Sequence, residues 1–258
     1  MGVAAPGGEV LPGSSPAVPD FPVLPPLTGV GVVAPYDFAL DRELWRWCPE
    51  DVTLLATRLP VATPFVTIDS MAHVGEIAPV AAATQDVLTV HPQVMAFCCT
   101  SGSFVRGREG EHALVAAMLG AGAPAAVTTS GALLEALAHL HVSAVGVATP
   151  YVQEVTWALH DFLGTASHVV VSGSELGLDH EIWTLPYHVV AELIRRADHP
   201  QAEAIVVSCT NVPTYDLIAP LEAELGKPII TANQVTMWAA LREIGLAAVG
   251  RGQRLLES

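Results

Sequence analysis

The sequence predicts an α/β protein of two pseudo-symmetric lobes, each a four-stranded parallel sheet flanked by helices, with a site between the lobes. Three observations predict it. From Val30 onward, short β-rich apolar runs alternate with helical stretches, the pattern of parallel sheets covered on both faces. Of 258 residues, 51% are hydrophobic and 14% charged, enough for a substantial core and too apolar for a disordered polymer. The chain also resembles itself. Gly31-Val32-Val33-Ala34-Pro35-Tyr36 recurs as Gly146-Val147-Ala148-Thr149-Pro150-Tyr151, an offset of 151 − 36 = 115. Cys99-Thr100 recurs as Cys209-Thr210, an offset of 209 − 99 = 110, and Thr128-Thr129-Ser130 is echoed by Thr231-Ala232-Asn233. Three landmarks in the same order at similar spacing describe a duplicated βαβαβαβα unit.

The elements follow in order. Residues 1–28 hold seven prolines and four glycines and read as a disordered tail. Residues 29–142 form the first lobe, with strands at Gly31–Ala34, Val52–Arg58, Val94–Cys98 and Ala125–Thr128, and helices near 40–47, 70–88, 108–120 and 131–140. Residues 143–258 form the second, with strands at Ala144–Ala148, His168–Ser172, Ala204–Ser208 and Pro228–Thr231, and helices near 152–163, 186–197, 214–225 and 235–244. The closing helix can pack back on the first lobe. In open parallel sheets ligands sit beyond the carboxyl ends of the strands. That rule puts Pro35–Phe38, Cys99–Ser103, Thr129–Ser130, Tyr151, Cys209–Asn211 and Asn233 around the site.

Charge and cysteine content bound the function. With 26 acidic against 11 basic residues the net charge is −15, and no Lys/Arg-rich stretch exists, so nucleic acid and anionic membrane surfaces are not expected partners. No apolar run reaches the roughly 18 residues of a membrane span. Four cysteines in a chain of this size are not a secreted disulfide framework, and the N-terminus has no charged, apolar leader. Reduced thiols and a cytoplasmic location are expected. Dimers are the commonest symmetric assembly, so a homodimer is the default expectation.

The chemistry centres on two cysteines at equivalent strand ends, in Phe97-Cys98-Cys99-Thr100-Ser101-Gly102-Ser103 and Val207-Ser208-Cys209-Thr210-Asn211. Small polar residues follow each one at a strand-to-helix turn. There backbone N–H groups favour negative charge, and the same field is expected to lower a thiol pKa. Two thiols facing one ligand can act as nucleophile and acid, or as opposed acid/bases. Cys98 points to the other face of its strand and reads as packing, as does Cys48 at a helix end. No His-Glu-x-x-His, paired Cys-x-x-Cys or phosphate-loop pattern is present, so neither metal nor nucleotide cofactor is expected.

These residues carry a resemblance. Cys99-Thr100-Ser101-Gly102-Ser103, Thr149-Pro150-Tyr151, Ser208-Cys209-Thr210-Asn211 and the ending Gly226-Lys227-Pro228-Ile229-Ile230-Thr231-Ala232-Asn233-Gln234-Val235-Thr236-Met237-Trp238 resemble the aspartate/glutamate racemase superfamily. The match is to its branch of maleate cis-trans isomerase and arylmalonate decarboxylase, over roughly Val30 to Leu246. The resemblance implies flavodoxin-like lobes and cofactor-free chemistry on a small carboxylate. It makes Cys99 the nucleophile or first acid/base and Cys209 the opposing proton donor, with Thr100, Ser101, Tyr151 and Thr210 caging a carboxylate. In the decarboxylase the first thiol position is glycine. Both thiols are kept here, which favours isomerase or racemase chemistry. An arylmalonate-type decarboxylase, an amino-acid racemase and a non-catalytic bilobal carboxylate binder are the alternatives.

The sequence departs from the maleate isomerase pattern twice. Pro35-Tyr36-Asp37-Phe38 stands where those enzymes read Pro-Ser-Ser-Asn, so Phe38 falls near a substrate-gripping amide slot. Gly177-Leu178-Asp179-His180-Glu181 stands near the second such slot, where His180 is a candidate carboxylate partner. Phe38 implies a bulkier or less polar substrate end. Asp37, if it faces inward, repels a carboxylate or grips an amine or hydroxyl.

Overall fold

A computed structural model describes residues 27–61 and 65–258. The tail assigned to 1–28 lies outside these residues except for its last two, and Thr28 already opens the first strand. The first lobe runs β1 (Thr28–Ala34), α1 (Asp41–Leu44), a 3-10 turn (Trp45–Trp47), β2 (Val52–Arg58), α2 (Ile68–Val74), α3 (Ile77–Leu88), β3 (Val94–Phe97), α4 (Thr100–Phe104), α5 (Gly107–Gly120), β4 (Ala126–Thr128) and α6 (Thr129–His139). The second runs β5 (Ala144–Tyr151), α7 (Gln153–Thr165), β6 (Val169–Leu178), a 3-10 turn (Ile182–Thr184), α8 (Tyr187–Ala197), β7 (Ala204–Val207), α9 (Tyr215–Leu225), β8 (Ile229–Thr231), α10 (Ala232–Glu243) and α11 (Arg254–Glu257).

The sheets have orders β2-β1-β3-β4 and β6-β5-β7-β8, all parallel. The duplication holds at the level of register. Val33 pairs with Phe97 and Ala148 with Val207, and these pairs are related by the sequence offsets, 33 + 115 = 148 and 97 + 110 = 207. The inner strands β1, β3, β5 and β7 are almost wholly buried, whereas the edge strands β2 and β6 are only half covered.

Several elements differ from expectation. The helix read over 70–88 is broken at Gly75, where the chain passes so close to α4 that a Cβ would stand 2.2 Å from the Gly102 carbonyl oxygen. α4 itself is an added helical turn, begun by the Cys99 side chain, which accepts from the Gly102 amide. β5 and β6 run further than read, because Ser172–Leu178 is polar and glycine-containing and shows no apolar run; it is held to β5 through two register shifts.

Helix α10 is buried from Ala232 to Leu241 and packs along α6, its counterpart in the first lobe, and against β3 and β4. A hydroxyl pair, Thr129 with Thr236 at 2.8 Å, joins the two helices in this dry interface. The pseudo-twofold relation therefore brings the carboxyl ends of both sheets together. Among the described residues, no helix is long and apolar enough to cross a membrane.

Candidate active site

The two thiols are positioned by matching backbone. Val33 accepts the amide of Cys98 at 2.8 Å, and Ala148 accepts that of Ser208 at 3.0 Å, so each cysteine is the first residue beyond a paired strand. Both open into one cavity between the lobes, lined by Pro35, Asp37, Val66, Met71, Cys99, Thr100, Ser101, Tyr151, Ile182, Cys209, Thr210 and Asn211. Its free volume is about 20 Å³, room for little more than one water. A roomier groove of about 690 Å³ runs over α5 and α6 but holds none of these groups.

Six of the eight residues singled out from sequence, Cys99, Cys209, Thr100, Ser101, Tyr151 and Thr210, meet in this cavity. Each thiol has one amide and one hydroxyl directed at it. Cys99 Sγ accepts from the Gly102 amide at 3.4 Å and from the Ser101 hydroxyl. Cys209 Sγ accepts from the Asn211 amide at 3.4 Å and from the Tyr151 hydroxyl, which itself accepts from Ser208 Oγ at 3.2 Å. Thr210 Oγ1 donates to the Cys98 carbonyl. Thr100 is 2% exposed and its hydroxyl has no partner among the described residues. A buried hydroxyl left unpaired in a cavity wall is costly unless a ligand completes it.

The thiols are not acidified as expected. Burial pushes Cys99 and Cys209 up to about 12; the amide beside each sulfur pulls down, and the nearby Asp37 charge pushes up again. Removal from water outweighs one N–H dipole because the whole charge of a thiolate must be desolvated. Burial likewise lifts Cys98 and Tyr151.

Phe38 and His180 do not line this cavity. Phe38 is 3% exposed and packs in the core on the far side of the β1 end, beside Leu44 and Ala56, because Asp37 takes the inward direction instead. His180 is exposed, pairs with Asp179 and packs edge-on against Phe65. It belongs to a clasp in which the Val66 amide donates to the Asp179 carbonyl at 2.6 Å, and Val66 and Ile182 of the two clasp loops form the apolar wall.

Ser103, Thr129, Ser130 and Asn233, read as lining, lie behind the cavity. Ser103 Oγ donates to the Cys99 carbonyl at 2.7 Å and lies 2.6 Å from Ser130 Oγ. Asn233 Nδ2 donates to the Thr210 carbonyl at 3.0 Å and to Glu43 Oε2 at 2.8 Å. Glu43 has no sequence signal. It comes from the first lobe, is 7% exposed, and accepts the Thr214 and Tyr215 amides, both at 2.6 Å, at the start of α9. A carboxylate is favoured at that helix N-terminus, and it braces the Cys209 loop from the opposite lobe. Val66, Met71 and Ile182 were equally silent, since apolar residues near loops carry no chemical mark.

The arylmalonate decarboxylase family model matches residues 48–256. The arylmalonate decarboxylase of Bordetella bronchiseptica is 29% identical over 210 residues, 79% of this chain and 88% of that one. The maleate isomerase of Nocardia farcinica is 28% identical over 181 residues, 66% of this chain and 72% of that one. Among solved structures, a liganded arylmalonate decarboxylase with glycine-to-cysteine and cysteine-to-serine exchanges superposes with a TM-score of 0.82 at 28% identity, covering 90% of this chain and 100% of that one. The fold is shared as well by a Nocardia farcinica maleate cis-trans isomerase variant carrying a covalent succinylcysteine, with a TM-score of 0.81 at 21% identity over 89% of this chain and 98% of that one.

Proposed function

Because the chain belongs to the arylmalonate decarboxylase family, we propose that it is a cofactor-independent isomerase of a small unsaturated carboxylate that works with two opposed thiols. The observation that carries this reading is the meeting of Cys99 and Cys209, from pseudo-equivalent strand ends, in one closed cavity. A thiolate at Cys99 adds to the double bond while the Cys209 thiol gives its proton to the neighbouring carbon, leaving a thioether and a Cys209 thiolate. The new single bond rotates. Cys209 then recovers the proton, the carbon–sulfur bond breaks, and the trans double bond forms with Cys99 again a thiolate. The Thr100 hydroxyl is left to donate to the substrate carboxylate and to the enolate-like charge of the addition step, and Ser101, Tyr151 and Thr210 would join it by turning from the sulfurs and the Cys98 carbonyl.

Burial keeps both thiols protonated at rest, so Cys99 must shed its proton before it can add. The Gly102 amide and the Ser101 hydroxyl then steady the charge. Decarboxylation is the second reading, favoured by the 29% identical relative: Cys209 alone would protonate the enolate left by loss of carbon dioxide. The two separate in one experiment. Proton NMR of maleate and of an aryl-methyl-malonate is followed with the protein. Isomerase action gives the fumarate singlet and leaves the malonate intact. Carbon dioxide from the malonate with unchanged maleate replaces this reading by the second. Turnover of neither, with maleate monoamide also unchanged, removes both.

A further inference from the structure

The cavity wall carries two unlike kinds of polar group. Thr100, Ser101, Tyr151 and Thr210 bring hydroxyls, and the Thr100 hydroxyl has no partner among the described residues. Asp37 brings a carboxyl. Its Oδ2 and its main-chain carbonyl each accept from Asn211 Nδ2 at 3.2 Å, while Asn211 Oδ1 accepts the Ala39 amide at 2.9 Å. This bracket crosses from the first lobe to the second and turns the carboxyl inward. Among the described residues lining the cavity there is no lysine, arginine or histidine. Arg58, the cation that Asp37 feels, is exposed on the outer side and donates to the Tyr36 carbonyl. The Asp37 charge also reaches both thiols. A second substrate carboxylate placed here would face another carboxyl, whose pKa burial raises, with no cation among the described lining residues to offset it.

We propose that Asp37 is a specificity-determining residue that selects a substrate with one carboxylate and, at its far end, a hydrogen-bond donor such as an amide N–H₂, and rejects the dicarboxylate. The inference rests on the isomerase reading for the double bond and adds the chemistry of the other end. Asn211 fixes which way Asp37 points, and the acceptor oxygens of Asp37 match an N–H donor as the hydroxyls match a carboxylate. Specificity then comes from repulsion of the wrong ligand as much as from attraction of the right one.

The test uses the full chain and two ligands of nearly equal shape, maleate and its monoamide. Calorimetric dissociation constants are measured on the wild type and on Asp37→Asn, which retains an acceptor for Asn211. The wild type is expected to bind the monoamide on the order of tenfold more tightly or better, and Asp37→Asn to reverse the order. Equal or tighter binding of maleate by the wild type overturns the inference, and so does absence of binding by either ligand. An unchanged ratio in Asp37→Asn overturns it as well. NMR of the same samples separates the two proposals. Conversion of maleate with wild-type preference for maleate ends the inference and leaves the isomerase reading standing. Preference for the monoamide without conversion of either ligand keeps the assignment of Asp37 and ends the isomerase reading.

Discussion

Cys99 and Cys209 occupy equivalent strand ends, yet the chain treats them differently. Cys99 has ordinary extended backbone, φ −146°, and begins a helix whose Gly102 amide turns back to its sulfur. Cys209 has φ +90°, a region that side chains rarely adopt, and the chain runs through five more residues before α9 starts at Tyr215. The first thiol is held by its own lobe. The second is braced by the other lobe, through Glu43 and Asn233 on one flank and Asp37 and Asn211 on the other. Gene-level duplication can supply two sulfurs, but a cavity between lobes needs one of them to be pinned across the gap. Strain of this kind persists only where the surroundings over-determine it, as they do here.

Removing either sulfur tests the comparison most severely. Under the proposed roles of nucleophile and proton donor, Cys99→Ala and Cys209→Ala are each expected to lower kcat by about a thousandfold or more. They should part company in intact-protein mass spectrometry. Only the Cys209 variant retains the thiol that forms the adduct, so only it should gain the mass of the substrate. An adduct in the Cys99 variant would reverse the assigned roles.

The partner hydroxyls come next. Tyr151→Phe strips the donor from Cys209 and Ser101→Ala the donor from Cys99, and each is expected to cost about a hundredfold in kcat. If Ser101→Ala is silent, Gly102 alone suffices for the first thiol and the symmetry of the two sulfurs is weaker than drawn.

Acidity gives a third contrast, with solvent. Both thiols are pushed up to about 12 by burial, so kcat/KM should climb with pH, near tenfold per unit while the thiolate remains the minor form. Stability moves the opposite way. The unfolded chain sheds its thiol protons near pH 9 and the folded state retains them to about 12, so the native state binds more protons in that window. Stability is full below pH 9 and falls as pH rises toward 12. Chemical denaturation at pH 8 and pH 10.5, for wild type and the double Cys→Ala variant, reads this directly; an equal loss in both would assign the effect elsewhere.

Smaller effects probe the bracing. Glu43→Gln leaves one of the two α9 amides or Asn233 imperfectly paired and is expected to cost about 2 kcal/mol in denaturant unfolding. At position 209, glycine accepts φ +90°, so Cys209→Gly should be more stable than Cys209→Ala by about 1 kcal/mol. At position 99, with extended backbone, the preference for glycine should vanish. Equal behaviour at the two positions would erase the difference between the lobes.

Much of this molecule was legible in the sequence because its signals are local or repeated. All eight strands were found, since buried parallel strands are continuous apolar runs. The internal repeat tied Cys99-Thr100 to Cys209-Thr210 across 110 residues, and the strand-end rule and the family resemblance added Ser101 and Tyr151; all six line the cavity. The break at Gly75 was hidden because it arises from the close passage of a second segment, not from a local stop signal.

What the sequence determined by itself is the architecture and the kinds of group at the strand ends, because periodicity and repetition are properties of one chain read in order. What only the tertiary structure decided is direction and solvent. It turned Asp37 inward and Phe38 into the core, put His180 on a clasp, recruited Glu43 from the other lobe, and raised the thiols that a helix start was expected to lower. Each of these depends on which residues distant in sequence exclude water from a group, and desolvation of a charge outweighs the local dipoles that sequence reveals.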